Sequence, residues 1–264
     1  MHPTAATILI LATIFQFQAP TTSSLEPPKT YPCHLTAHPP TIDGKLDDPA
    51  WLLAPWTTDF VDIEGPGKPL PRFRTRAKVL YDATNLYIAA ELDEPDVKAT
   101  LTQHDSIIFH DNDFEVFLKP PLADPGYFEF EINALNTSWD LYLNKPYNQG
   151  GKPDNSWDIP GLKTAVAIQG TLNKSTDKDR GWTVEIAIPW TAYTSRQPVT
   201  KPSAGTQWRA NFSRVEWPKG VDSNSPAANQ PNQHLEDNWV WTPQGVINMH
   251  VPEHWGYLNF RNKP

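Results

Sequence analysis

Apolar residues recur at every second position along much of this chain, and short polar clusters interrupt them. A period of two marks a strand with one face packed and the other turned away. "RAKVLYDATNLYIAAELDE" carries it twice, over 77–81 and 86–92, around an Asp-Ala-Thr-Asn turn that predicts a hairpin. "DFEVFLKP" and "YFEFEINAL" predict a second pair across a Pro/Asp/Gly break, and "LKTAVAIQGTL" with "GWTVEIAIPW" a third across "NKSTDKDR". "TQWRANFSRVEW" and the closing "WGYLNF" add further strands. Helix is confined to single turns at "DDPAWLLA" and "PWTAY", and residues 218–238 read as a long surface loop. These signals predict an all-β chain, an antiparallel β-sandwich of two sheets with long loops and little helix. No linker or internal repeat divides residues 31–260, so 31–264 reads as one domain.

Alternation also assigns faces. Phe114, Val116 and Leu118 point to the core, and Asp113, Glu115 and Phe117 point away. Phe128, Phe130 and Ile132 point inward, leaving Glu129, Glu131 and Asn133 on the other side. If the two strands pair, carboxylates gather on one outer face. Such a cluster repels itself unless a cation, a metal or a polar ligand offsets it.

Composition narrows the classes. Eleven Trp, 11 Phe and 8 Tyr suit a pleated, half-buried architecture, and 28 Pro against 13 Gly favour loops over long helices. The net charge of -8 argues against a nucleic-acid or anionic-membrane partner. Cys33 is the single cysteine, so no internal disulfide forms, and it reads as a small buried apolar residue. Residues 1–30 read as a signal peptide and disordered leader. Their apolar run over 5–17 has the length of an h-region and is too short to span a bilayer. No other run is comparable, which predicts a secreted or periplasmic chain without a membrane span.

The acidic run allows three chemistries. Asp113 and Glu115 stand two apart on one strand, about 7 Å between Cβ atoms, near the carboxyl spacing of an inverting glycosidase. Strand neighbours project in parallel, however, whereas an acid and a base must flank the scissile bond, so sugar or calcium binding is favoured over catalysis, with plainly solvated carboxylates the remaining reading. Asp111 and Asp113 are the metal candidates. Asp43, Asp47 and Asp48 in "IDGKLDD" read as a turn, and His250 and His254, with Pro252 between them, do not make a helical zinc pair. The chain has no G-x-S-x-G, P-loop or H-E-x-x-H. Phe109, Trp139, Trp157 and Trp241 are candidate stacking platforms, with His110 beside them as a hydroxyl partner. Residues 136–158 read equally as a sugar-contacting insert or a polar loop.

"TIDGKLDDPAW", "DNDFEVFL", "GWTVEIAIPW" and the "WRANF" strand, in this order and spacing, resemble the carbohydrate-binding module family 9 domain. The closest likeness within it is to single-domain secreted members. The resemblance implies a β-sandwich, structural calcium ions and recognition of glycan ends by two clamping aromatics, a carboxylate, an arginine and amides. Carried over, the carboxylate is Glu115, the first clamp aromatic is Phe109, and the amide position is Asn211. The arginine position holds Glu131, and the second clamp falls near Met249, flanked by Trp241 and Trp255. Arg209 is on the Asn211 face of its strand and would supply the cation that Glu131 displaces. The expected function is carbohydrate binding by a secreted module that supports polysaccharide catabolism. The alternative is a glycoside hydrolase using the acidic face.

Overall fold

The computed structural model describes residues 26–122, 124–225 and 234–262. The expected signal peptide falls almost wholly on residues outside these. Thirteen strands follow in order: β1 Thr30–Leu35, β2 Val61–Asp62, β3 Thr75–Tyr81, β4 Asn85–Asp93, β5 Asp113–Lys119, β6 Tyr127–Asn133 and β7 Ser138–Leu143. The rest are β8 Pro153–Asp154, β9 Lys163–Gln169, β10 Gly181–Pro189, β11 Gln207–Glu216, β12 Asp237–Val240 and β13 Gly256–Arg261. Helix among the described residues is limited to five 3-10 turns, including Pro49–Leu53 and Trp190–Ser195 where single turns were predicted.

The predicted hairpins form as β3–β4, β5–β6 and β9–β10, all antiparallel. All-β is therefore right, but the ladder is not purely antiparallel. β1 runs parallel to both β13 and β3 and joins two antiparallel halves into one curled, mixed path, β8-β7-β6-β5-β11-β13-β1-β3-β4-β10-β9. Nothing in the local pattern of "TYPCHL" distinguishes a parallel strand, because its partners lie at the far end of the chain.

One face of both halves packs into a shared core. Phe114, Val116, Leu118, Phe128, Phe130 and Ile132 are all buried there, with Cys33, as alternation predicts. The predicted turn at "IDGK" ties two distant segments together. Glu185 on β10 accepts the backbone N–H groups of Asp43 and Gly44 at 2.9 and 2.8 Å, and the Trp51 indole N–H at 2.6 Å. Gly44 is left-handed (φ +85°), and a Cβ there would meet the Val166–Ala167 backbone at 2.7 Å. Glu185→Gln places an amide N–H₂ against buried donors and is expected to lower unfolding free energy by about 2–4 kcal/mol. Denaturant unfolding reads this directly, and a loss below about 0.5 kcal/mol, the range of a neutral surface change, would contradict it.

The other face departs from expectation. Asp113, Glu115, Glu129, Glu131 and Asn133 are buried, not solvent-facing. Val240, Met249 and Trp255, from the end of β12 and the segment after it, fold over this face and pack with Ile63, Phe117 and Leu141 into a second apolar cluster.

β11 explains how that segment gets there. Its first half, Gln207–Ala210, pairs with β13, and Ser213–Glu216 pairs with β12 on the same edge. At the switch between partners, Asn211 replaces ladder bonds with its side chain. Its amide Nδ2 donates to Thr242 O at 2.8 Å, and its Oδ1 accepts Thr242 N–H at 3.0 Å.

Candidate functional site

The covered acidic face opens into a cleft of about 460 Å³. Its floor comes from β5 and β6, where Glu115 lies directly across from Glu131, with Glu129 one step along the same face. Its walls include Phe109 and Ile107 from the loop before β5, Trp139 from β7, Tyr147 and His250. Phe109 (38%) and Tyr147 (41%) keep substantial exposure, while Trp139 is half-buried. Phe109 and Trp139 stand 6.4 Å apart with their rings tilted by 38°, presenting a nearly continuous aromatic surface.

The floor is electrostatically unsettled. Burial raises the Glu115 carboxyl to about 7. It also pushes Asp113, Glu129 and Glu131 well up, and the charge of Glu115 adds to each. Glu131 accepts the Phe109 N–H at 3.1 Å, which fixes the aromatic against the floor. Glu129 Oε2 and Asp113 Oδ2 have no hydrogen-bond partner despite being buried. Burial also drops His250 to about 4, so its imidazole is neutral at pH 7. Its Nδ1 meets the Tyr127 hydroxyl at 2.8 Å. The cleft therefore pairs flat apolar surface with buried carboxylates, among them Glu129 with an oxygen lacking a partner, the combination that receives a polyhydroxylated ring.

Of the residues expected from sequence, Phe109, Glu115 and Glu131 come together in this cleft. Met249, at the second clamp position, also lines it. Asn211, Arg209 and Trp241 are elsewhere. Asn211 is fully buried and its amide is engaged by Thr242. Arg209 donates to Trp255 O at 2.6 Å and stacks on Tyr257 at 4.0 Å. Ser213, not Arg209, faces Glu115 across β5 and β11. Arg209 is four residues further along, about 13 Å at strand rise, too far to replace the missing arginine beside Glu131. Trp241 is buried against Tyr31 and Phe212. Trp157 is likewise buried, against Phe128. Of the aromatics flagged in the sequence, Trp139 is the one that joins Phe109.

Asp111 and Asp113 divide in role. Both Asp111 oxygens are taken, by Thr100 N–H, Thr100 Oγ1–H, Leu101 N–H and the Asn133 amide, which fastens the preceding loop. Asp113 Oδ1 accepts Val215 N–H, leaving Oδ2 free. Glu129, Tyr147 and His250 were missed as cleft residues. Glu129 shares parity with Glu131, so its neighbour was the available signal. Tyr147 and His250 arrive on loops with no periodicity to place them.

Comparison with known proteins agrees with this architecture. The family described as carbohydrate family 9 binding domain-like matches residues 42–213, and the chain belongs to it. No curated protein matches the chain. Among solved structures, it is similar to a candidate carbohydrate-binding protein from Bacteroides uniformis, with TM-score 0.63 and 14% identity, covering 88% of this chain and 99% of that one. A family 9 module from Caldicellulosiruptor kristjanssonii bound to cellotriose superposes with TM-score 0.58 and 17% identity over 89% of this chain and 95% of its own. The same organism's module in complex with glucose gives 0.56 and 17% over 89% and 97%.

Proposed function

We propose that the chain is a carbohydrate-binding module whose ligand lies in the cleft over Glu115 and Glu131. The observation that carries this is the juxtaposition of half-exposed Phe109, Trp139 and Tyr147 with buried, partner-poor carboxylates in one opening of about 460 Å³. The aromatic rings take the apolar face of a pyranose, and the floor exchanges hydrogen bonds with its hydroxyls. Each neutral bond nets only about 1 kcal/mol, which sets affinity in the roughly micromolar to millimolar range. The carbohydrates bound by the family 9 modules of similar fold support the same reading. The two halves of the curled sheet share one core, which supports a two-layer sandwich closed by β1. Secretion and a part in polysaccharide breakdown belong to this proposal. No helix among the described residues is long and apolar enough to cross a membrane.

A hydrolase is the weaker reading. Glu115, Glu129 and Glu131 project side by side from adjacent strands and cannot flank a glycosidic bond. Glu236 lines the cleft from the segment before β12, with His234 Nδ1 2.8 Å from its Oε1. Titration of the intact chain with glucose and cello-oligosaccharides tests the proposal; heat of binding without turnover supports it.

Among the described residues, an all-carboxylate donor set suits the calcium implied by the resemblance. Asp113, Glu115 and Glu131 offer oxygens all within 4.8 Å of one another, and Asp113 Oδ2 has no other partner. Asp111 does not fit, since its oxygens are occupied. A calcium held by the three would neutralise the floor and orient hydroxyls above it. Adding calcium to about 100 times its Kd to metal-stripped protein is then expected to raise Tm by about 5 °C or more. Asp113→Asn should remove the effect, and an unchanged Tm in the native chain would discard calcium at this site.

A further inference from the structure

A second group of metal-ligating side chains lies outside the cleft. His104 and Asp105 come from the loop before β5, Asp140 from β7, and Asp158 from the loop before β9. His104 Nε2 is 3.2 Å from Asp158 Oδ1, 3.4 Å from Asp105 Oδ1 and 3.6 Å from Asp140 Oδ1.

Three features of this group point to a bound cation. First, His104 Nδ1 lies 2.9 Å from the Ser138 carbonyl, which can only accept, so Nδ1 carries the hydrogen. In the neutral ring Nε2 is then a lone pair turned toward three carboxylates. A proton on Nε2 would point at one oxygen and leave the other two facing it unbonded. Second, Asp140 is 1% exposed, its Oδ2 accepts the Ile159 N–H, and its Oδ1, aimed at His104, has no hydrogen-bond partner. Third, the donor spacing is that of a small coordination sphere. Ligands about 2.0–2.2 Å from a tetrahedral zinc stand about 3.3–3.6 Å apart, and the three distances to Nε2, 3.2 to 3.6 Å, lie within about 0.1 Å of that range.

We propose that His104, Asp105, Asp140 and Asp158 form a binding site for a first-row divalent cation of the zinc class. An imidazole nitrogen among carboxylates favours such an ion over calcium or magnesium, which take oxygen alone. The Ser138 carbonyl on Nδ1–H and the Ile159 amide on Asp140 supply the outer bonds that orient ligands in such sites. The ion would also join the loop carrying Phe109 to β7 carrying Trp139, the two aromatics of the cleft wall. The site itself does not depend on what the cleft binds.

The test is zinc titration of the full, tag-free, metal-stripped chain by calorimetry, with cobalt(II) as a spectroscopic probe. The expected result is one equivalent at micromolar Kd or tighter and intense tetrahedral d–d absorption. Affinity should fall at least about 100-fold in His104→Ala and Asp140→Asn, at or beyond the roughly 10- to 100-fold cost of losing an outer-shell partner alone. Asp158→Ala removes a 69% exposed side chain, so it leaves folding intact while weakening the ion. Glu115→Gln, in the cleft, should leave this affinity unchanged, which separates the two sites. No zinc binding by the folded native chain would overturn the proposal. So would binding that His104→Ala and Asp158→Ala leave unaltered, with the group then a histidinium paired to carboxylates.

Discussion

Arg214→Ala is expected to cost about 3–5 kcal/mol of stability, the range for breaking a buried ion pair from one side. Arg214 is fully buried on β11, and its guanidinium reaches Glu94 at 2.6 Å, Glu216 at 2.7 Å, Thr75 Oγ1 at 3.0 Å and the Asp93 carbonyl at 2.9 Å. Trp239 stacks beside it at 5.2 Å. These partners come from β3, β4 and the residue after it, β11 and β12, so the one side chain holds both halves of the curled sheet. Alanine would strand two carboxylates in the interior. Burial already raises Glu216 to about 8 against the opposing pull of Arg214. Without Arg214 its carboxyl moves further up, so the stability loss should be smaller below about pH 8, where both proteins hold the proton, and should grow as pH rises above it. Urea unfolding at pH 7 and 9 measures it, and a loss under about 1 kcal/mol, no more than an average substitution, would contradict the account.

The second large effect concerns Glu115. Glu115→Gln removes one negative charge from a floor that also holds Asp113, Glu129 and Glu131, so the metal-stripped protein should gain about 1 kcal/mol of stability. The same change removes a charged hydrogen-bond acceptor for a sugar hydroxyl, worth about 1.5–3 kcal/mol, so affinity should fall by about 10- to 100-fold. Gain of stability with loss of binding marks a functional residue held against its own packing preference. A residue of purely structural role would lose both together.

The strands and their inward faces were legible because period two is a local property. "FEVFL" and "FEFEI" alone place Phe114, Val116, Phe128 and Phe130 in the core. What lies on the opposite face was not legible, because the cover over Glu115 and Glu131 comes from residues around 240–255. A hint was present. Phe117, Tyr127, Leu141 and Leu143 share that face, and strands apolar on both sides are buried on both. Asn211 looked like a ligand contact because its role depends on where β13 stops and β12 begins along β11, which only tertiary pairing decides. Trp139 and Trp241 are chemically alike in sequence and differ only in what packs against them. The cation site joins residues from 104 to 158 across three segments, with no short-range spacing to announce it.

Isothermal titration of the intact chain with a panel of mono- and oligosaccharides, native beside Trp139→Ala, tests the central claim most directly. The account predicts saturable binding to at least one sugar at micromolar to millimolar Kd, weakened at least about tenfold when the Trp139 platform is removed. No heat from any sugar with the native fold intact, or affinity indifferent to Trp139→Ala, would contradict it.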